Sequence, residues 1–154
     1  LQECDSALYI NENIIIPLGK VHSHLWPFNG LLEFIEKIDN KTPMEKISVV
    51  IDIYLDLITY FGYKFVKYFL TLPLKNEIFA NPPGALHTFL KEYITEASNN
   101  GEFKPEYTID YIFRAIFSSL RGAAFDWSVN SGKSDIKADY SITLNILLNE
   151  FKKK

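Results

Sequence analysis

Between Pro43 and Pro73 the chain reads PMEKISVVIDIYLDLITYFGYKFVKYFLTLP, a run that few folds can house. Ile47, Val50, Ile51, Tyr54, Leu55 and Ile58 recur at helical spacing, and a second apolar line passes through Val49, Ile53, Leu57 and Tyr60. Ser48, Asp52, Asp56 and Thr59 interrupt them in one narrow polar stripe. A helix apolar on nearly every side has to be wrapped by others, so the run predicts a central helix in an all-helical fold. Thr42 is placed to cap it, and Pro43 suits the first helical position, where its missing N–H costs nothing. Gly62 permits a kink late in the helix.

The rest of the chain divides at its proline and glycine residues. Residues 1–10 can form a helix, NIIIPLGKVHSHLWPFNG reads as irregular, and 31–38 as a short amphipathic turn or two. Asn81-Pro82-Pro83 starts a helix whose apolar face is Leu86, Phe89, Leu90, Tyr93, Ile94 and Ala97, and Asn99-Asn100-Gly101 stops it. Pro105 opens the next helix, with Ile109, Ile112, Phe113, Ile116, Phe117, Leu120, Ala123, Ala124 and Trp127 at helical spacing until Gly132. Ser134 is the expected cap of a last helix, 135 to about 152. Its apolar lines are Ile136, Tyr140, Leu144, Leu147 and Phe151 on one side, and Ile142, Ile146 and Leu148 on the other. The prediction is an all-α single domain, 1–154, of five to seven helices.

Composition narrows the function classes. At 154 residues the chain can bury a sizeable core, and its 15% aromatic content suits a thick core, a ligand cavity or a subunit interface. A net charge of −3 lacks the bulk basic charge of a nucleic-acid binder. Lys152-Lys153-Lys154 reads as a solvated helix end. One cysteine, Cys4, rules out an internal disulfide and fits a reducing, cytoplasmic setting. No run of 18 apolar residues and no signal peptide is visible, so no membrane partner is expected.

The last helix has nothing after it to cover its second face. Ile142, Ile146 and Leu148 therefore predict a partner, because exposed apolar side chains of this number are a liability. The preceding helix carries small residues near its end, Gly122, Ala123 and Ala124, which admit a second backbone. Two such helices from each of two chains make an intersubunit four-helix bundle about a two-fold axis. The expected dimer interface is Leu120, Arg121, Ala123, Ala124, Trp127, Ile142, Ile146 and Leu148, with Asp126 paired to the other subunit's arginine. The other possibility is that the first 40 residues cover this face within one chain.

Three stretches in order bear a likeness to a known family. PMEKISVVIDIYLDLITYFGYKFVKYFL is followed by NPPGALHTFLKEYITEASNNGEF and then by YIFRAIFSSLRGAAFDWSVNSGKSDI, in which Gly122, Asp126-Trp127 and Gly132 are the most specific part. Together they resemble the C-terminal domain of tetracycline-repressor (TetR) family transcriptional regulators, over roughly residues 31–152. The resemblance implies a homodimer, a small-molecule effector cavity within each subunit, and coupling to a DNA-binding domain, with a repressor released by effector as the expected mode. The family's N-terminal helix-turn-helix is not recognisable, and residues 13–30 depart from its connecting helix. Leu1 falls about where that domain would end, so DNA contact is expected only through residues outside this chain.

In that frame the cavity is expected between the central helix, the helix after Pro83 and the helix after Pro105. Its candidate lining is Tyr54, Ile58, Phe61, Phe65, Tyr68, Phe69, His87, Tyr93, Phe113 and Phe117, which suits an apolar or aromatic effector held by a few hydrogen bonds. The plainer account is that these rings fill a core. Other chemistry is thinly represented. His22 and His24, with Glu33, form an H-x-H pair short of a full ligand set, so no metal or cofactor is expected. Asp52 and Asp56 fall on the polar stripe and read as a solvated face. Cys4 has no arranged base, and no catalytic triad or phosphate loop appears, so the chain is not read as an enzyme. A helical protein–protein interaction domain without effector is the alternative, and a metal-dependent enzyme using His22 and His24 the less favoured one.

Overall fold

The computed structural model describes residues 38–71 and 85–154, and its regular elements there are all helices. They are α1 (Pro43–Thr71), α2 (Ala85–Asn99), α3 (Ile109–Val129) and α4 (Ile136–Phe151). The all-α class is as expected, with four helices described against five to seven expected of the whole chain. The elements expected before Pro43 fall almost wholly on residues 1–37, which lie outside the described residues, as do His22, His24, Glu33 and Cys4. Lys41–Leu72 and Leu86–Lys154 form one compact unit, described here by itself. No described helix is long and apolar enough to cross a membrane.

The central position of α1 follows from its pattern. Ile47, Val50, Ile51 and Leu55 are buried, and α1 packs on both α3 and α4. Its start is a reciprocal cap. Thr42 Oγ1 accepts from the Glu45 N–H at 3.3 Å, and Glu45 Oε2 accepts from the Thr42 N–H at 2.8 Å. Gly62 breaks the helical geometry at φ 81° and ψ 163°, a conformation in which a side chain would be strained, so the kink sits where glycine allows it.

The ends of the other helices are set by specific bonds. α2 closes with Gly101 at φ 73°, whose N–H reaches the Ser98 carbonyl while Glu102 N–H reaches Ala97. Pro105 does not open α3. It occupies a turn closed by Tyr107 N–H to the Lys104 carbonyl, and the cap is Thr108, whose Oγ1 accepts from Tyr111 N–H at 3.2 Å. α3 ends in the same motif as α2, but the left-handed residue just beyond the helix is Ser131 at φ 58°, with Gly132 following at φ 66°. The cap of α4 is Asp135, not Ser134: its Oδ1 accepts from Ala138 N–H at 3.0 Å.

α4 is held to α3 through a buried hydroxyl. Tyr140 has almost no exposed surface, and its O–H donates to the Ile116 carbonyl at 2.7 Å and sits 2.9 Å from Ser119 Oγ. Burial pushes the Tyr140 hydroxyl up to about 12, so it remains protonated throughout the working range. The buried stripe of α4 is Ile136, Tyr140, Leu144, Leu148 and Phe151, so Leu148 takes the inward position expected of Leu147. Beyond Phe151 the chain does not end as a solvated helix turn. Lys152 bridges Phe103, Lys104 N–H reaches the Phe151 carbonyl at 2.8 Å, and Lys153 N–H reaches the Glu102 carbonyl at 2.8 Å. Glu150 adds side-chain bonds to Lys104 and Tyr107, although Lys152, Lys153 and Lys154 stay exposed.

Candidate functional site

Four of the expected effector residues meet where α1, α2 and α3 converge. Tyr54 on α1 shares a hydrogen bond with Nδ1 of His87 on α2. The imidazole meets Phe117 of α3 edge-on, with ring centroids 4.3 Å apart, and Phe113 at 6.2 Å. Phe113 and Phe117 lie one turn apart on α3, with planes only 16° from parallel. All four residues are half-buried.

The protonation of the pair follows from its surroundings. Burial drives the Tyr54 phenol far above its ordinary range, so it keeps its proton. Burial first, and the nearby Arg121 guanidinium second, push His87 down to about 4, so its ring is neutral near pH 7. Tyr54 Oη and Nδ1 share one hydrogen bond, so the second ring nitrogen, Nε2, calls for a partner of its own whichever nitrogen carries the proton. That Nε2 is buried and has no hydrogen-bond partner among the described residues. A buried polar atom left unpaired costs roughly 1–3 kcal/mol, an unmet demand at this cluster.

The remaining lining candidates are not gathered at this point. Phe61 stacks on Phe65 at 4.8 Å and Phe65 on Phe69 at 6.3 Å, a separate line that spans the Gly62 kink. Ile58 is half-buried on α1, and Tyr68 is 43% exposed. Tyr93 is buried, stacked on Phe89 at 6.1 Å with Lys46 Nζ 5.2 Å over its ring.

The residues expected at a subunit interface divide sharply. Leu120, Ala124, Trp127 and Leu148 are buried within the single chain, so they are core and not contact surface. The Trp127 indole N–H finds its acceptor in the same chain, the Ser134 carbonyl at 3.0 Å. The Arg121 guanidinium lies beside the candidate site, 5.0 Å over the Phe117 ring. Ile142 and Ile146 remain 63% and 64% exposed, one turn apart on α4. Phe125, Val129 and Gly122 are exposed on α3, a set that the expectation omitted apart from its glycine. Between the two helices runs an open groove of about 210 Å³ that includes Ala123, Asp126, Asp139 and Thr143.

Asp52 and Asp56 lie on the polar side of α1 as expected, and Asp56 is additionally paired with Lys137 of α4 at 2.8 Å. Burial, opposed by Lys137 and reinforced by Asp56, raises Asp52 above the ordinary carboxylate value. Among the described residues no group of three or more histidine, cysteine or acidic side chains could hold a metal ion. Tyr54 and His87 are 33 positions apart, so no local spacing announced their pairing; only the helical phases of α1 and α2 could have suggested it. No family model, no curated protein and no solved structure matches this chain.

Proposed function

We propose that this chain is the effector-sensing and dimerising part of a TetR-like transcriptional regulator. The observation that carries the reading is the buried Nε2 of His87, without a hydrogen-bond partner among the described residues and set among half-buried aromatic rings at the meeting of three helices. Aromatic surface with one oriented polar atom is the make-up of a small-molecule site. Being built from three separate helices, such a site can couple to their relative placement. An effector that binds one arrangement better than another shifts the population toward it by its differential affinity. In a regulator, that shift changes the spacing of two DNA-reading heads, and an effector-released repressor is the mode the resemblance favours.

Dimerisation is the second half of the proposal. Gly122 lies inside α3, where glycine costs about 1 kcal/mol relative to alanine. A Cβ there would meet nothing within 4 Å among the described residues, so their packing does not explain the glycine. A second backbone approaching α3 beside exposed Phe125, Val129, Ile142 and Ile146 does explain it. The two-fold contact is accordingly proposed on this outer face of α3 and α4.

The sensing half is tested by a thermal-shift screen of the purified chain against apolar drugs, fatty acids and aromatic compounds. A true effector raises the melting temperature by several degrees at saturating concentration. It also changes the cluster's aromatic resonances. A panel in which no compound shifts the midpoint contradicts the sensing assignment and favours an interaction domain without effector.

A further inference from the structure

We propose that Gly62 is a hinge within α1. The second half of the helix, residues 63–71, pivots on it between the kinked form and a continuous helix, and the α3–α4 connection senses its position through Tyr63. This device does not depend on the effector-sensing reading. Gly62 sits at φ 81° and ψ 163° with helix on both sides. That backbone region is open in practice to glycine alone, while helical values, about −63° and −42°, are open to glycine as well. Gly62 is the only glycine in α1, so it is the one position of the helix that can hold either form. Among the described residues nothing lies within 4 Å of where its Cβ would stand, so no neighbour clamps the pivot on that side.

The two halves are held by separate sets of contacts. Ahead of the pivot, Ile47, Val50, Ile51 and Leu55 are almost wholly buried, and Asp56 is paired with Lys137 of α4 at 2.8 Å. Beyond it, Val66 is the one buried side chain among the described residues 63–70. Phe61, Phe65 and Phe69 stack across the pivot, at a spacing of four that a continuous helix also sets along one face, so this line of rings fits both forms. The contact that distinguishes them is at Tyr63. A Cβ at Gly132 would stand 3.4 Å from Tyr63 Cβ and 3.2 Å from Trp127 Cζ2, so the bare α-carbon is flanked by the indole and by the first residue beyond the pivot. Turning both backbone bonds of Gly62 to helical values re-aims Tyr63 and changes the packing beside Trp127. The indole is tied to the Ser134 carbonyl at 3.0 Å, so a movement in α1 reaches the connection that leads into α4.

Relaxation-dispersion NMR on the full chain tests the hinge, with the Gly62→Ala variant as its partner measurement. Residues 63–70, Gly132 and the Trp127 indole N–H are expected to exchange at one shared rate on the microsecond-to-millisecond scale, with a minor state above about 1%, while Val50 and Leu55 stay flat. Alanine cannot hold the kinked backbone cheaply, so Gly62→Ala is expected to fold and to shift the Tyr63, Gly132 and Trp127 indole resonances to the minor-state positions of the parent. Flat profiles over residues 63–70, or exchange there that Gly132 and the Trp127 indole do not share, overturn the hinge. A folded Gly62→Ala whose resonances remain at the parent's major positions also overturns it, because the kink is then fixed by its surroundings. If Gly62→Ala does not fold by circular dichroism, the parent's exchange profiles decide alone.

Discussion

At the scale of single residues, the His87 imidazole is the group whose surroundings most change its chemistry. Its pKa is about 4 in the folded chain, against an ordinary value of 6.5. Above pH 6.5 both folded and unfolded chains carry the neutral ring, and its contribution to stability is level. Between 6.5 and about 4 the unfolded chain takes up a proton that the folded chain refuses, so stability falls as pH falls. Below about 4 both are charged and the loss levels off. Urea unfolding across this window, compared with His87→Asn, isolates the effect from the carboxylates that titrate at its lower end. The parent is expected to lose more stability than the variant between pH 6.5 and 4; parallel curves would show that the imidazole is freely protonated. The partial burial of His87 was legible in the sequence, because it stands beside an apolar helical face. Its partner was not, since a Tyr54 hydroxyl 33 positions away becomes an acceptor's neighbour only after α1 and α2 are packed.

At the scale of elements, the helices and their caps are set by local chemistry, and tertiary contacts decide which candidate cap is used. The apolar run of α1, the Thr42–Pro43 start and the Gly62 kink depend on neighbours within a turn or two, and they read directly from the sequence. The α3–α4 connection does not. Ser134 was the natural cap for α4, yet its carbonyl accepts the Trp127 indole while Asp135 caps the helix. Trp127 is thereby a reporter of this connection rather than of a subunit boundary. Gly132 sits at φ 66°, and a Cβ there would lie 3.2 Å from Trp127 Cζ2 and 3.4 Å from Tyr63 Cβ. Gly132→Ala must therefore pay for the left-handed backbone and displace an indole fixed by its own hydrogen bond. A loss of roughly 1–3 kcal/mol is expected in urea denaturation, with the Trp127 emission shifted in the folded state. An unchanged midpoint would mean that the connection repacks freely and that the indole bond is not holding it.

At the scale of the whole molecule, the exposed face of α3 and α4 is what a single chain leaves unexplained. Periodicity alone could say that α4 is apolar on two sides, but not which of Leu147 and Leu148 turns inward. It also could not say that Leu120, Ala124 and Trp127 are consumed by the chain's own core. What survives as available surface is smaller: Phe125, Val129 and Gly122 on α3, and Ile142 and Ile146 on α4. Burying one fully exposed isoleucine is worth roughly 1.5–3 kcal/mol, so the two on α4, repeated by symmetry, matter to any association. The regulator proposal requires a pair of chains, because one effector site per chain can act on DNA-reading heads only through their relative spacing. Sedimentation velocity on the chain and on an Ile142→Glu, Ile146→Glu double variant tests this directly. The account predicts a dimer at micromolar concentration for the parent and a folded monomer for the variant, its dissociation constant raised by about a hundredfold or more. A parent chain that sediments as a monomer at micromolar concentration, or a variant that remains dimeric, would contradict it.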